Sequence, residues 1–369
     1  MSTRKPPFRA DHVGSLLRPA PVKDARARFA AGEIDADALR GVEDAAVIEL
    51  IACQEAAGLE GITDGEARRS WWHLDFLWGL DGCEKQVMDR GSPFAGTETR
   101  AEGAMVTGKL GWSGHQMIEH FKFLKDHTSR TPKMTIPAPS ALYGRPVGQV
   151  INRDVYPTND SFFADLGAAY NKAVHAFADA GCRYLQLDEV FIAMLCDEKY
   201  RQTLRDRGDD PDRTGEIFVE LVNAAVEGIP DDMTITMHFC RGNFRSTHAG
   251  EGGYEPVAKL MFDNLNIDGF FMEYDTERAG DFTPLRHFTG DDQRIVLGLV
   301  TTKLGELEDR DALMRRIEEA AKIVPLDNLC LSPQCGFAST EEGNILAEEQ
   351  QWAKLKMIVE VAEEVWGEL

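Results

Sequence analysis

Eight short apolar runs, separated by longer stretches of helical period, constrain this chain more than any other feature. The first ends at Asp11-His12-Val13, and the others run from Gly61 to Thr63, Lys133 to Pro139, Tyr184 to Glu189, Thr234 to Cys240, Gly269 to Tyr274, Arg294 to Val300 and Leu329 to Cys335. Near-continuous apolar runs rich in β-branched and aromatic residues suit strands that are covered on both faces, the situation of a parallel sheet. Helices are predicted between them. The stretches 37–57 and 160–180 each stop at a glycine, Gly58 and Gly181, and further helical periods cover 215–227, 254–264, 309–324 and 347–366. Strand and helix alternating eight times is the plan of an α/β fold, the TIM (β/α)₈ barrel, and the spacing predicts a single catalytic domain over 1–369.

The rhythm breaks once, between Asp64 and Lys133. Residues 79–132 are read as an insertion between strands 2 and 3, and 96–114, GTETRAEGAMVTGKLGWSG, has the turn glycines and Thr/Val content of a hairpin beside the barrel mouth. Residues 1–7 are expected to form a short N-terminal arm.

Charge narrows the partners. With 62 acidic against 40 basic side chains the net charge is −22, which repels nucleic-acid phosphates and anionic lipid headgroups and points to small molecules. No run approaches the ~18 to 20 apolar residues of a membrane span, and the opening MSTRKPPFRADHVGS lacks the apolar core of a signal peptide, so no membrane partner and a cytoplasmic location are expected. A homo-oligomer is compatible with this composition. Seven scattered cysteines are an odd number and do not look like a disulfide scaffold; they are read as reduced thiols.

In a parallel barrel the chemistry sits where strands end. Here the ends offer His12 with Gly14-Ser15, Asp64 with Glu66, Asp188 with Glu189, His238 with Cys240, Glu273, the stretch from Thr301 to Lys303, and Cys335. Residues two apart on a strand share a face, so His238 and Cys240 can reach one ion. Cys335 would add a second thiolate and Glu273 a displaceable carboxylate, a Cys₂His set of the kind catalytic zinc uses. An isolated H-x-C is common by chance, and a buried cysteine is usually a small hydrophobe; the argument rests on four such groups falling on one rim. Cys330, Cys53, Cys83, Cys182 and Cys196 have no such company and are read as structural. Glu66 and Asp188 match an ammonium group, or one of them pairs with Arg68 or Arg69. Gly14-Ser15 could present N–H groups and a hydroxyl to a carboxylate, or be a plain turn. Trp71-Trp72-His73 either lines a pocket for a flat substrate or packs the core. G-x-G-x-x-G, G-x-x-x-x-G-K-[ST] and G-x-S-x-G are all missing, so dinucleotide binding, P-loop chemistry and serine hydrolysis lack their marks.

From about Asp11 to Gly336 the chain resembles the catalytic barrel of cobalamin-independent methionine synthase and its shorter single-barrel relatives, within the uroporphyrinogen decarboxylase and methionine synthase superfamily. The resemblance implies a zinc cofactor that activates a thiol, homocysteine in the best-known members, for attack on a methyl group. It places zinc ligands on His238, Cys240, Glu273 within FMEYD and Cys335 within PQCG, and homocysteine-binding groups on Ser15, Glu66 and Asp188. Two departures concern the methyl donor. The two-barrel synthases carry an extra N-terminal barrel with no counterpart in these 369 residues. Their catalytic histidine after the seventh strand falls in a stretch reading GLVTTK, where Lys303 takes the place. Lys303 or His12 is therefore expected to supply the proton or positive charge for the leaving group. The donor stays open, with 5-methyltetrahydrofolate one candidate. Rival readings are another zinc-dependent thiol alkyltransferase of the superfamily (epoxyalkane:coenzyme M transferase-like or corrinoid-linked), a metal-free decarboxylase-like lyase, and a zinc-storage protein.

Overall fold

The computed structural model describes residues 5–145 and 149–367. Six strands, Met134–Pro137, Tyr184–Glu189, Thr234–Phe239, Gly269–Glu273, Arg294–Val300 and Leu329–Pro333, lie side by side in chain order and pair in parallel throughout. Nearly every residue in them is buried, which is why their sequences read as unbroken apolar runs.

The ring continues through two shorter elements. Ala10 bridges Leu331 in parallel, with Asp11 N–H donating to the Leu331 carbonyl (3.0 Å). Gly61–Ile62 pairs in parallel with Thr131–Pro132, and Lys133 N–H donates to the Ile62 carbonyl (2.7 Å). Between these two elements the contacts are single bonds rather than a ladder: Leu16 N–H to the Gly65 carbonyl (3.0 Å), Thr63 Oγ1 to the Gly14 carbonyl (2.7 Å) and His12 Nε2 to the Gly61 carbonyl (3.0 Å). The architecture is the expected TIM barrel.

Its helices follow their sequence punctuation. Ala36–Ala56 is capped by Asp35 and Asn159–Asp179 by Thr158, and both end before glycines at positive φ, Gly58 (95°) and Gly181 (94°). The helix read from 215 begins earlier, at Pro211, because Asp210 caps it and proline is pre-set for the first turn. Among the described residues no helix is long and apolar enough to cross a membrane.

The stretch 79–132 divides in two. Asp81–Val87 and Glu102–Gly111 form an antiparallel hairpin, with the small pair Pro93–Phe94 and Thr97–Glu98 at its tip. Gln116–His127 is instead an ordinary barrel helix, burying Met117, Phe121 and Leu124 at helical spacing. Of the arm expected over 1–7, residues 1–4 lie outside the described residues, whereas Pro7 is buried and its carbonyl accepts a bond from Arg294 (2.5 Å).

Inside the barrel Asp11 faces Lys133 (3.0 Å) and Tyr184 (2.7 Å), while His12, its neighbour on the strand, points to the other face and is sealed against Gly61. Burial, with Lys133 adding to it, pushes His12 down to about 4 from its ordinary 6.5, so the folded imidazole is neutral at pH 7. Between pH 6.5 and 4 the unfolded chain binds a proton that the folded one refuses, so stability is complete above 6.5 and drains as pH falls toward 4. We predict a loss approaching about 3 kcal/mol from this group. Urea unfolding of wild type and His12→Gln from pH 7 to 4 should show the variant losing less; parallel losses would refute the neutral burial of His12.

Candidate metal centre and its cavity

His238 and Cys240 stand at the end of Thr234–Phe239, Glu273 closes Gly269–Glu273, and Cys335 follows Leu329–Pro333. All four are buried, and one ligand atom from each lies within 4.8 Å of every other. The Cys240 and Cys335 sulfurs are 3.5 Å apart, close to the roughly 3.3 to 3.8 Å separation of donors placed tetrahedrally at zinc distances. His238 is 2% exposed, yet neither ring nitrogen has a partner. Leaving such a group unsatisfied is costly, and an ion among the four removes the cost. The hydrogen bond from Cys240 holds the Cys335 thiol well below its usual range, and the same contact pushes Cys240 up, so the pair shares one proton. Burial works against a charged His238, but the Cys335 thiolate outweighs it and raises the imidazole. Two sulfurs, an imidazole and a carboxylate suit a borderline-soft divalent cation, so the donor set fits zinc. Among the described residues this is the one group of its kind; the thiols of Cys182 and Cys330 are simply buried, pushed up to about 12 and about 11.

Neighbours that the sequence did not single out hold the set. The Tyr254 hydroxyl accepts from Glu273 N–H (3.0 Å) and donates to the Phe239 carbonyl (3.2 Å), pinning two ligand-bearing strand ends together. Glu273 Oε1 accepts from Arg241 N–H (2.9 Å) and Oε2 from the Arg278 guanidinium (2.9 Å). Burial would raise the Glu273 carboxyl, but Lys303 and then Arg278 keep it low. Lys303 Nζ donates to Asn243 Oδ1 (3.3 Å), and Asn243 Nδ2 donates to the Gly336 carbonyl (2.8 Å), which ties Lys303 to the segment carrying Cys335. A Cβ on Gly336 would stand 1.9 Å from Ser15 Oγ, so glycine after Cys335 lets Ser15 come this close.

A cavity of about 270 Å³ opens beside His238, Cys240 and Cys335, and Ser15, Glu66 and Asp188 all lie on its wall. Glu66 has a left-handed backbone (φ 56°), rare for a residue with a side chain, and Asp64 Oδ1 accepts its N–H (2.9 Å). Its Oε1 takes Thr135 Oγ1 (2.9 Å) and Arg69 (3.3 Å), so the alternative pairing with Arg69 is realised at one oxygen; Arg68 turns away to Asp44 (2.5 Å). Oε2 is buried with no partner. Burial raises Glu66 against the pull of Arg69 and Arg18. Burial and then the Glu66 carboxyl push Asp188 up to about 7, while Gln186 Nε2 bridges Asp188 Oδ1 (2.7 Å) to the Val13 carbonyl (2.6 Å). Two carboxyls raised in one cavity are short of positive charge, and an entering ammonium would restore both to the ionised form.

His12 is not brought into this cavity. Strand alternation turns Asp11 and Val13 inward and His12 outward, where the imidazole is bonded to the Gly61 carbonyl, so this geometry does not favour the leaving-group role expected of it. The aromatic cluster splits: Trp71 is core, its indole N–H on Glu102 (2.6 Å), whereas Trp72 and His73 line the cavity.

Comparison with known proteins places the chain in a family. Residues 8–364 match the family model described as cobalamin-independent synthase, catalytic domain. An uncharacterised protein of Bacillus subtilis (strain 168), YxjH, is 51% identical over 98% of this chain and 96% of its own. A methionine synthase of Pyrococcus abyssi is 25% identical over 82% of this chain and 77% of its own. A solved Listeria monocytogenes structure, provisionally assigned as a vitamin-B12 independent methionine synthase, superposes with a TM-score of 0.80 at 44% identity, covering 98% of this chain and 99% of that one. The chain belongs to the cobalamin-independent methionine synthase catalytic-domain family and is, with it, a methyltransferase.

Proposed function

We propose that the protein transfers a methyl group to the sulfur of homocysteine, giving methionine, with zinc held by His238, Cys240, Glu273 and Cys335. The observation that carries this reading is that the ligand set opens into the same cavity as Ser15, Glu66 and Asp188. When bound, zinc supplies Lewis acidity that makes an incoming thiol a thiolate at neutral pH, where a free thiol of pKa ~8.5 is mostly protonated.

The chain's own residues do the rest. Glu66 Oε2 and Asp188 take the α-ammonium, and the Ser15 hydroxyl with the adjoining backbone N–H groups takes the carboxylate. Arg278 and Arg241 N–H hold both oxygens of Glu273, so that carboxylate is never left bare in the interior. Lys303, anchored on Asn243 beside the metal ligands although not on the cavity wall, is the positive charge we assign to the leaving group. The hairpin tip at Pro93 and Phe94, with Trp72 and Phe191, gives the cavity an apolar wall. A sulfonate thiol such as coenzyme M has no ammonium for Glu66 and Asp188, so the amino-acid thiol is the better match. For the methyl donor, 5-methyltetrahydrofolate is the first to test.

Elemental analysis of protein purified without chelators should give about one zinc per chain, the complement of a single four-donor site. Cys335→Ser should lose it, and X-ray absorption should report an added sulfur neighbour when homocysteine is present. Zinc-free protein would overturn the reading, and zinc indifferent to thiols would exclude homocysteine as acceptor. Lys303→Ala should cut turnover by roughly 10²-fold, the scale of a lost general acid, with zinc content and the homocysteine signal unchanged; loss of zinc would show instead that Lys303 holds the metal centre together.

A further inference from the structure

The cavity has two chemically opposite ends. Its inner end is acidic, with Glu66 and Asp188 beside the thiols; its outer wall carries Ser92 and Phe94 of the hairpin together with Trp72, His73 and Arg145. The Arg145 guanidinium donates to Ser92 Oγ (2.9 Å). Among the described residues it has no carboxylate partner, whereas Arg69 and Arg278 pair with Glu66 and Glu273, and the guanidinium groups of Arg18 and Arg241, which also lack one, are taken up by backbone carbonyls. Arg145 is half-buried, and burial with no anion beside it holds the guanidinium down to about 10.

His73 supplies the second, independent observation. It is 3% exposed, lines the same wall, and neither ring nitrogen has a partner. Burial and the nearby Arg145 charge keep it neutral, so one ring N–H is available to donate. Guanidinium, imidazole N–H and the Ser92 hydroxyl are therefore three donors around one space with no anion among them. A planar guanidinium backed by neutral donors is the usual means of holding a carboxylate or phosphate.

We infer that the outer wall, built from Arg145, His73 and Ser92, is a binding site for an oxyanion, a carboxylate or a phosphate, carried by the methyl donor. In the function proposed above the inner end already holds the amino-acid thiol, its ammonium at Glu66 and Asp188 and its carboxylate at Ser15, so the anion at the outer wall belongs to the other substrate. Assigning it to the donor rests on the function proposed above; the binding of an oxyanion here does not.

Isothermal titration of the zinc-loaded protein with glutarate and, separately, with inorganic phosphate tests this. At least one should bind the wild type in the millimolar range, roughly −4 kcal/mol. Arg145→Gln should weaken it tenfold or more, and Arg145→Lys should recover part of the loss. Glutarate alone binding points to a donor with a carboxylate tail, phosphate alone to a phosphorylated donor. His73→Phe, which leaves Arg145 in place, should weaken the same anion several-fold and serves if Arg145→Gln does not fold. The homocysteine signal at the metal should be unchanged in every variant, so failure of the anion site is distinguishable from failure of the thiol reading. Wild-type protein that binds neither anion, or Arg145→Gln and His73→Phe that both bind as tightly as wild type, overturns the inference.

Discussion

Asp11 is buried and accepts four hydrogen bonds: from Lys133 Nζ (3.0 Å), the Tyr184 hydroxyl (2.7 Å), and the backbone N–H groups of Phe8 (3.0 Å) and His12 (2.7 Å). Lys133, itself 0% exposed, sits over the rings of Tyr184 and Phe271 and reaches the His12 carbonyl (2.5 Å). The barrel needs this tie because its first strand has a single bridge and its second has two residues, too little ladder to fix how the ring closes. A buried ion pair adds little over a well-packed apolar substitute, but losing one partner costs ~3 to 5 kcal/mol, and its geometry dictates which strands meet. Val13, Gly14 and Ser15 leave the strand directly above Asp11, so the position of Ser15 against Cys335 is set from below.

Above that layer the rim is organised by opposite deficits of charge. His238 and the two thiols lack a cation, as do Asp188 and the second oxygen of Glu66, whereas the Arg145 guanidinium has no carboxylate partner among the described residues. Glu273 is already balanced, between Arg278 and the Arg241 amide, and Glu66 is met by Arg69 at one oxygen. A site whose groups are satisfied only by what binds there is held in advance in the arrangement its substrates require, which is where enzymes gain most of their electrostatic advantage.

Much of this was legible in the sequence, for reasons that also mark its limits. The strands could be read because both of their faces are buried, and His238, Cys240, Glu273 and Cys335 could be read because each stands where such a run stops. His12 also stands at a strand end, but alternation turns it outward, and nothing short of the register tells Asp11's face from His12's. Gln116–His127 was absorbed into the insertion because its helical period follows directly on the hairpin. Arg278, Asn243, Tyr254 and Arg145 carry no local signal at all. They lie off the strands, and the fold alone brings them to the rim. The choice between an ammonium site and an ion pair at Glu66 was never exclusive, since one oxygen serves Arg69 and the other stays open.

The close approach of Gly336 to Ser15 joins the two ends of the sequence at the reacting centre. In a chain made from its N-terminus, His238 and Cys240 emerge long before Cys335, and two donors alone bind metal far more weakly than four. The full set comes into being only when the last strand docks against the first. Under the proposed function, metal occupancy would be a record of completed folding, since a half-made or misclosed barrel has no four-donor site to load.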